Sequence, residues 1–163
     1  MLVLPLSVPV PDRLALLRGL ALEGARDSAV REVARVELGG APWWARLLRR
    51  VQGLPGRRDP VDRDVYLPAA EVLRVGGDCA DRCALLCALF VAARSWSSAA
   101  RSDRCALRWD HCGPLSARCA YDHVRVRLYR PGRPVVELDA LGGGPGDRVV
   151  PWAARRHWDG QVM

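Results

Sequence analysis

The segment Gly76-Gly77-Asp78-Cys79-Ala80-Asp81-Arg82 leads straight into Cys83–Ala93, a run with no charged and no polar side chain other than thiols. A helix that is apolar nearly all round can only be buried. The run is shorter than the ~18 residues that a membrane span requires. It therefore predicts a buried helix of core length. The 163-residue length suits one domain with a single core. At 50% hydrophobic and 26% charged residues, the composition excludes disordered and collagen-like chains.

Net charge is +7, but every basic residue is Arg, and Lys, Asn, Ile and Thr are absent. This pattern reads as coding bias from a GC-rich genome, so the positive balance is weak evidence for an anionic partner. The N-terminus, Met1 to Pro11, lacks a basic leader and is interrupted by Pro5, Pro9 and Pro11, so no signal peptide is read there. The expected setting is cytoplasmic, with six reduced cysteines rather than a disulfide framework.

Leu14, Leu17 and Leu20 predict a first helix, and a second starts at Asp27 or Ser28 with Val30, Val33 and Ala34 inward. Pro42 is expected at the first position of a third helix, with Trp43, Trp44, Leu47, Leu48 and Val51 forming its stripe and Gly53 ending it. Arg46, Arg49, Arg50, Arg57 and Arg58 beside two tryptophans admit a nucleic-acid reading. A solvated helix face is preferred, so nucleic acid is not an expected partner. Gly53 to Asp64 reads as a loop, and Pro68 opens a short helix to Arg74.

Asp78 is a favourable N-cap, which places Cys79 at the first helical position. Backbone N–H groups and the helix dipole there favour an anion, so the thiol is expected to shift toward thiolate. The same N–H groups suit a developing oxyanion. Downstream, Tyr121–Tyr129 alternates strictly, Arg130 to Arg133 reads as a turn, and Val135–Asp139 returns. A three-residue loop would set His123 directly opposite Asp139. A thiol at a helix start and a His/Asp pair on a sheet supply the parts of a Cys-His-Asp triad. Each residue also has a structural reading: Cys79 as a small buried side chain, His123 as a core histidine, and Asp139 as a cap before Gly142-Gly143-Gly144.

These three blocks, Gly77-Asp78-Cys79-Ala80-Asp81-Arg82, Asp122-His123-Val124-Arg125-Val126 and Leu138-Asp139-Ala140, together resemble the transglutaminase-like superfamily of papain-fold thiol enzymes. Asp27–Arg31, Arg58-Asp59-Pro60, Pro68 and Leu73 extend the resemblance toward small bacterial and tailed-phage members, and it covers roughly Asp27 to Ala140. It implies an α+β, papain-like core in which N-terminal helices and a buried nucleophile helix pack on an antiparallel sheet. Residues 1–26 form an N-terminal extension and helix, and residues 141–163 a tail docking on the core of one domain.

By the same resemblance Cys79 is the nucleophile, His123 the general base and acid, and Asp139 the orienting carboxylate. Asp78, Trp43, Trp44 and Gln52 are candidate substrate or oxyanion groups. The implied reaction is hydrolysis of an amide or peptide bond through a thioester, on a protein or peptide substrate and with no cofactor. The alternative is a catalytically inert copy of the fold serving as a virion or scaffold interaction module with phage or prophage structural partners. Three departures stand out: Ala80 replaces a frequent acidic or small polar residue, the insert Ser95–Ala120 carries Cys105, Cys112 and Cys119, and the upstream oxyanion donor of many relatives has no assigned counterpart, Trp43, Trp44 and Gln52 being candidates by type alone.

A zinc site from Cys105, His111, Cys112, Cys119 and His123 lacks a C-x2-C knuckle, so no metal is assigned. Cys79 and Cys83 are spaced C-x3-C, which does not suit a redox motif. His157 is expected in a surface or packing role.

Overall fold

The computed structural model describes residues 1–39, 41–60, 63–112, 121–141 and 154–163, with the backbone alone at 111–112, 121–122 and 154–157. It is a mixed α+β structure in which helices pack on antiparallel sheet.

Helix α5 (Cys79–Ala93) is the hub. Helices α1 (Val10–Gly24), α2 (Ser28–Glu37), α3 (Ala45–Gln52) and α4 (Ala69–Val75) all contact it, and so do two strands of the larger sheet. From Ala80 to Ala93 all but Val91 are buried. Each surrounding helix turns a stripe toward it: Leu14, Leu17 and Ala21 from α1, Val30 and Ala34 from α2, and Leu47, Leu48 and Val51 from α3. Asp27 caps α2 by accepting from the N–H groups of Ala29 and Val30 at 2.8 and 3.3 Å.

The third helix starts at Ala45, three residues later than the proline rule predicts. Trp43 is held elsewhere: its indole N–H donates to Asp103 at 2.9 Å and its ring packs edge-on against Phe90. Those tertiary contacts fix Pro42 to Trp44 as a turn.

The smaller sheet pairs β1 (Leu2–Pro5) with β2 (Arg63–Tyr66), in antiparallel register. The larger sheet has the order β5-β4-β3-β6, formed by β3 (Arg104–Cys112), β4 (Tyr121–Tyr129), β5 (Val136–Leu138) and β6 (Ala154–Asp159). Helix α6 (Ser98–Ser102) links α5 to β3. Alternation divides the large sheet into two faces. Cys105, Leu107, Trp109, Val124, Val126, Leu128 and Leu138 enter the core. Arg108, Asp110, Arg125, Arg127 and Glu137 form an ion network on the opposite face, and Arg127 also reaches Asp159 at 2.8 Å.

The β4–β5 register differs from the expected one. Leu128 pairs with Val136, Arg127 with Glu137 and Val126 with Leu138, so the partners lie two residues further along than a three-residue loop would give. The turn at Arg130–Arg133 is followed by Pro134, which has no N–H to donate, and the ladder resumes only at Val136. A slip of two keeps every side chain on its face.

The C-terminal residues dock on the core: β6 pairs with β3, and Cys105 and Met163 exchange backbone hydrogen bonds at 3.2 and 2.7 Å. The Gly142–Gly144 segment, Pro145, Pro151, Trp152 and the side chain of His157 lie outside the described residues. No helix among those described is long and apolar enough to cross a membrane.

Candidate active site

The start of α5 depends on two glycines. Gly76 has φ +83°, and a Cβ there would fall 1.9 Å from the Pro55 carbonyl oxygen. A Cβ on Gly77 would fall 2.5 Å from that of Asp81. The close approach lets Gly77 donate to the Pro55 carbonyl and accept from Arg57. The charged residues of the motif then lock the entry. Asp78 Oδ1 accepts from the Asp81 N–H at 2.9 Å, and Asp81 Oδ1 accepts from the Leu67 N–H at 2.8 Å. Buried Arg82 donates to the carbonyls of Gly77 and Leu54 at 2.9 and 2.7 Å. Cys79 is thereby presented, half-buried, on the first turn.

That turn meets β4 where the β4–β5 ladder stops. Val124 lies beyond the last pair, Val126 with Leu138. Its N–H hydrogen-bonds to the Cys79 sulfur, and its carbonyl accepts from Cys83 Sγ at 3.1 Å. Cys83 Sγ also receives the Ala140 N–H. One buried sulfur thus bridges the strand that carries His123 and the segment that carries Asp139, taking the place of a ladder hydrogen bond. No local sequence pattern announces this contact, which spans 41 residues.

His123 is buried, and its Nε2 lies 2.8 Å from Asp139 Oδ2. Asp139 Oδ1 accepts from the Leu141 N–H at 2.9 Å. Its carbonyl oxygen accepts from Gln52 Nε2 at 2.9 Å. Burial opposes ionisation of Asp139, but the hydrogen bond and charge of His123, the Leu141 N–H and Arg125 outweigh it and hold the carboxyl below its ordinary value. The structure therefore pairs His123 with Asp139, holds the Asp139 main chain through Gln52, and sets Cys79 and Asp78 against Val124, the residue that follows His123.

The expected thiolate shift at Cys79 is reversed. Burial, then the neighbouring Asp78 carboxylate, push the thiol up to about 12, against the lowering influence of the Val124 and Ala80 N–H groups. The N–H groups counted on to stabilise an anion also serve Asp78, which engages those of Asp81 and Ala80. Burial first, and the nearby Asp59 and Asp64 carboxylates, raise Asp78 itself to about 6. Asp81, buried and next to Asp78, rises to about 7.

Two further candidates are displaced. Trp43 and Trp44 line a cavity of about 610 Å³ with Asp103, Arg130 and Arg133, not the space at Cys79. Gln52 donates one amide N–H to the Asp139 main-chain carbonyl, which is a positioning contact. Cys79 opens instead into a cavity of about 240 Å³ whose walls include Arg13, Asp64, Tyr66, Asp78 and Trp109. Both tryptophans are buried, so neither offers a free stacking surface beside the arginines of α3.

Cys79, Cys83, Cys87 and Cys105 are free thiols. No group of three or more His, Cys, Asp or Glu among the described residues is placed to hold a metal; Cys119 and the side chains of His111 and Cys112 lie outside them. Comparison with protein-family models, with curated proteins and with solved structures found no match.

Proposed function

We propose that this chain is a thiol-dependent acyl-transfer enzyme with a papain-like, transglutaminase-like core, acting on an amide or peptide bond through Cys79, His123 and Asp139. The observation that carries the reading is the meeting of the three segments: the hydrogen-bonded His123–Asp139 pair sits next in sequence to Val124, whose N–H contacts the Cys79 sulfur.

The raised thiol specifies the order of events. Cys79 rests protonated, so a preformed thiolate–imidazolium pair is not the starting state. His123 has Nε2 on Asp139, which makes Nδ1 the nitrogen that takes the thiol proton as sulfur attacks the carbonyl carbon. The Cys79 N–H at the helix start donates to the oxyanion. His123 then returns the proton to the leaving amine, giving a thioester, and the same residue activates the water that releases the acid.

Treatment with a p-nitrophenyl ester tests this. The expected result is release of p-nitrophenol with a hydroxylamine-labile acyl adduct at Cys79, absent from Cys79→Ala and slowed at least about a hundredfold in His123→Ala. Acylation that is equal in His123→Ala, or confined to other residues, overturns the reading.

The second reading, an inert copy of the fold used as an interaction module with virion or scaffold partners, is favoured by one observation: burial and Asp78 both disfavour the reactive form of the sulfur. It predicts no adduct at all.

A further inference from the structure

We propose that the cavity beside Cys79 receives a positively charged group of the substrate, with Asp78 as the residue that selects it. The inference rests on Cys79 as nucleophile and assigns the substrate class of that site.

Among the described residues that line the cavity Arg13 is the only cation, and Arg13 is already committed. Its Nε donates to the Val8 carbonyl at 2.8 Å, one terminal nitrogen pairs with Asp64 at 2.6 Å, and the other donates to the Leu6 carbonyl. Asp64, whose counter-charge is Arg13, also accepts from the Tyr66 hydroxyl at 3.1 Å. Asp78 stands apart. Its partners are backbone N–H groups, and no cation among the described residues lies within ion-pair distance of it. A carboxylate that is largely out of water and lacks a counter-charge gains most from an incoming cation.

The walls suit such a guest. Tyr66 and Trp109 offer aromatic surface, and Arg13 already lies over the Trp109 ring at 5.6 Å. At about 240 Å³ the space falls below the ~300 Å³ lower bound for drug-sized ligands. It fits one basic side chain or a small amine. A cation bound there would also offset the Asp78 field that disfavours ionised sulfur, so the substrate that fits would be the one that eases loss of the Cys79 proton.

The test compares three methanethiosulfonates, each of which transfers its thioalkyl group to sulfur with departure of methanesulfinate. The aminoethyl reagent is cationic, the sulfonatoethyl reagent anionic and the methyl reagent neutral. Rates at Cys79, read by peptide mass spectrometry, are divided by the rates with mercaptoethanol to remove intrinsic reactivity. The overall charge of +7 by itself attracts the anion, so the sign of the preference separates local from global field.

We expect the cation to be favoured over the anion by at least about tenfold, with the preference lost in Asp78→Asn, which keeps a good N-cap. A ratio near one, a preference for the anion, or failure of all three reagents to reach Cys79 in the folded protein overturns the inference. If neutral labelling depends on His123 but shows no charge preference, the acyl-transfer reading stands and this inference falls. Charge preference without dependence on His123 gives the converse.

Discussion

His123 Nε2 and Asp139 Oδ2 are 2.8 Å apart although the two residues are not ladder partners. Continuing the β4–β5 register past Leu138 sets Asp139 beside Arg125, and its side chain reaches His123 along the diagonal. The Leu141 N–H and the Gln52 amide fix that reach from the other side. Removing the carboxylate in Asp139→Ala should slow acylation of Cys79 by at least about a hundredfold by leaving the imidazole without an orienter. Near-unchanged circular dichroism alongside that loss would assign the effect to the site.

Cys83 is the residue through which the two halves of the pair are held in register. Cys83→Ala removes the sulfur between the Val124 carbonyl and the Ala140 N–H. The cost should be about 1–3 kcal/mol, from a small cavity and unsatisfied main-chain groups. Cys83→Ser, which restores a donor and acceptor, should recover part of the acylation rate. Equal rates in the Ser and Ala variants would show that the sulfur only fills space. Denaturant midpoints and acylation rates together provide the readout.

How much of this was legible in the sequence follows from the range of each interaction. Asp27 and Asp78 as caps, Gly53 as a terminator and the all-round burial of α5 are local consequences of residue type, and all are found. The β4–β5 hairpin was legible as two strands and a turn, but Pro134 moved its register by two. Parity alone preserved the shared face of His123 and Asp139. Strands β1 and β6 left no clear pattern, since each is a short edge strand whose pairing is set by a distant partner. The thiol at Cys79 went the other way because the helix-end effect is worth well under the burial of a charge. Burial of this kind is a tertiary property.

Stability should depend on pH in two opposed ways. Asp81, raised to about 7, keeps in the folded state a proton that the unfolded chain gives up near 4. Its contribution is therefore full below about 4 and declines as pH rises toward 7. Asp78, raised to about 6, acts in the same sense. Asp139 is lowered, so its contribution is present above about 4 and is lost on further acidification. Asp81→Asn keeps an acceptor for the Leu67 N–H without the buried charge. It should match the parent near pH 4 and exceed it by about 4 kcal/mol near pH 8. Urea midpoints at the two pH values provide the check, and parallel curves would contradict the burial of an ionisable Asp81.

Arg13 joins the turn after β1, β2 and the Trp109 ring in one buried contact set. Arg13→Met should cost about 3–5 kcal/mol, because Asp64 is left without its cation. Adding Asp64→Asn should return a substantial part of that loss, as measured in a double-mutant cycle. Strict additivity would show that the pair is not coupled.

The central claim is that His123 takes the proton of a thiol that rests neutral. It is tested most directly by the rate of iodoacetamide alkylation of Cys79 against pH in the parent and in His123→Ala, with each cysteine resolved by peptide mass spectrometry. The account predicts that Cys79 labels near pH 7 in the parent, ahead of buried Cys83, Cys87 and Cys105. In His123→Ala it predicts a fall of at least about a hundredfold, with labelling recovering only as pH approaches the raised thiol value of about 12. Superimposable pH profiles in the two proteins would contradict it and leave the interaction-module reading in its place.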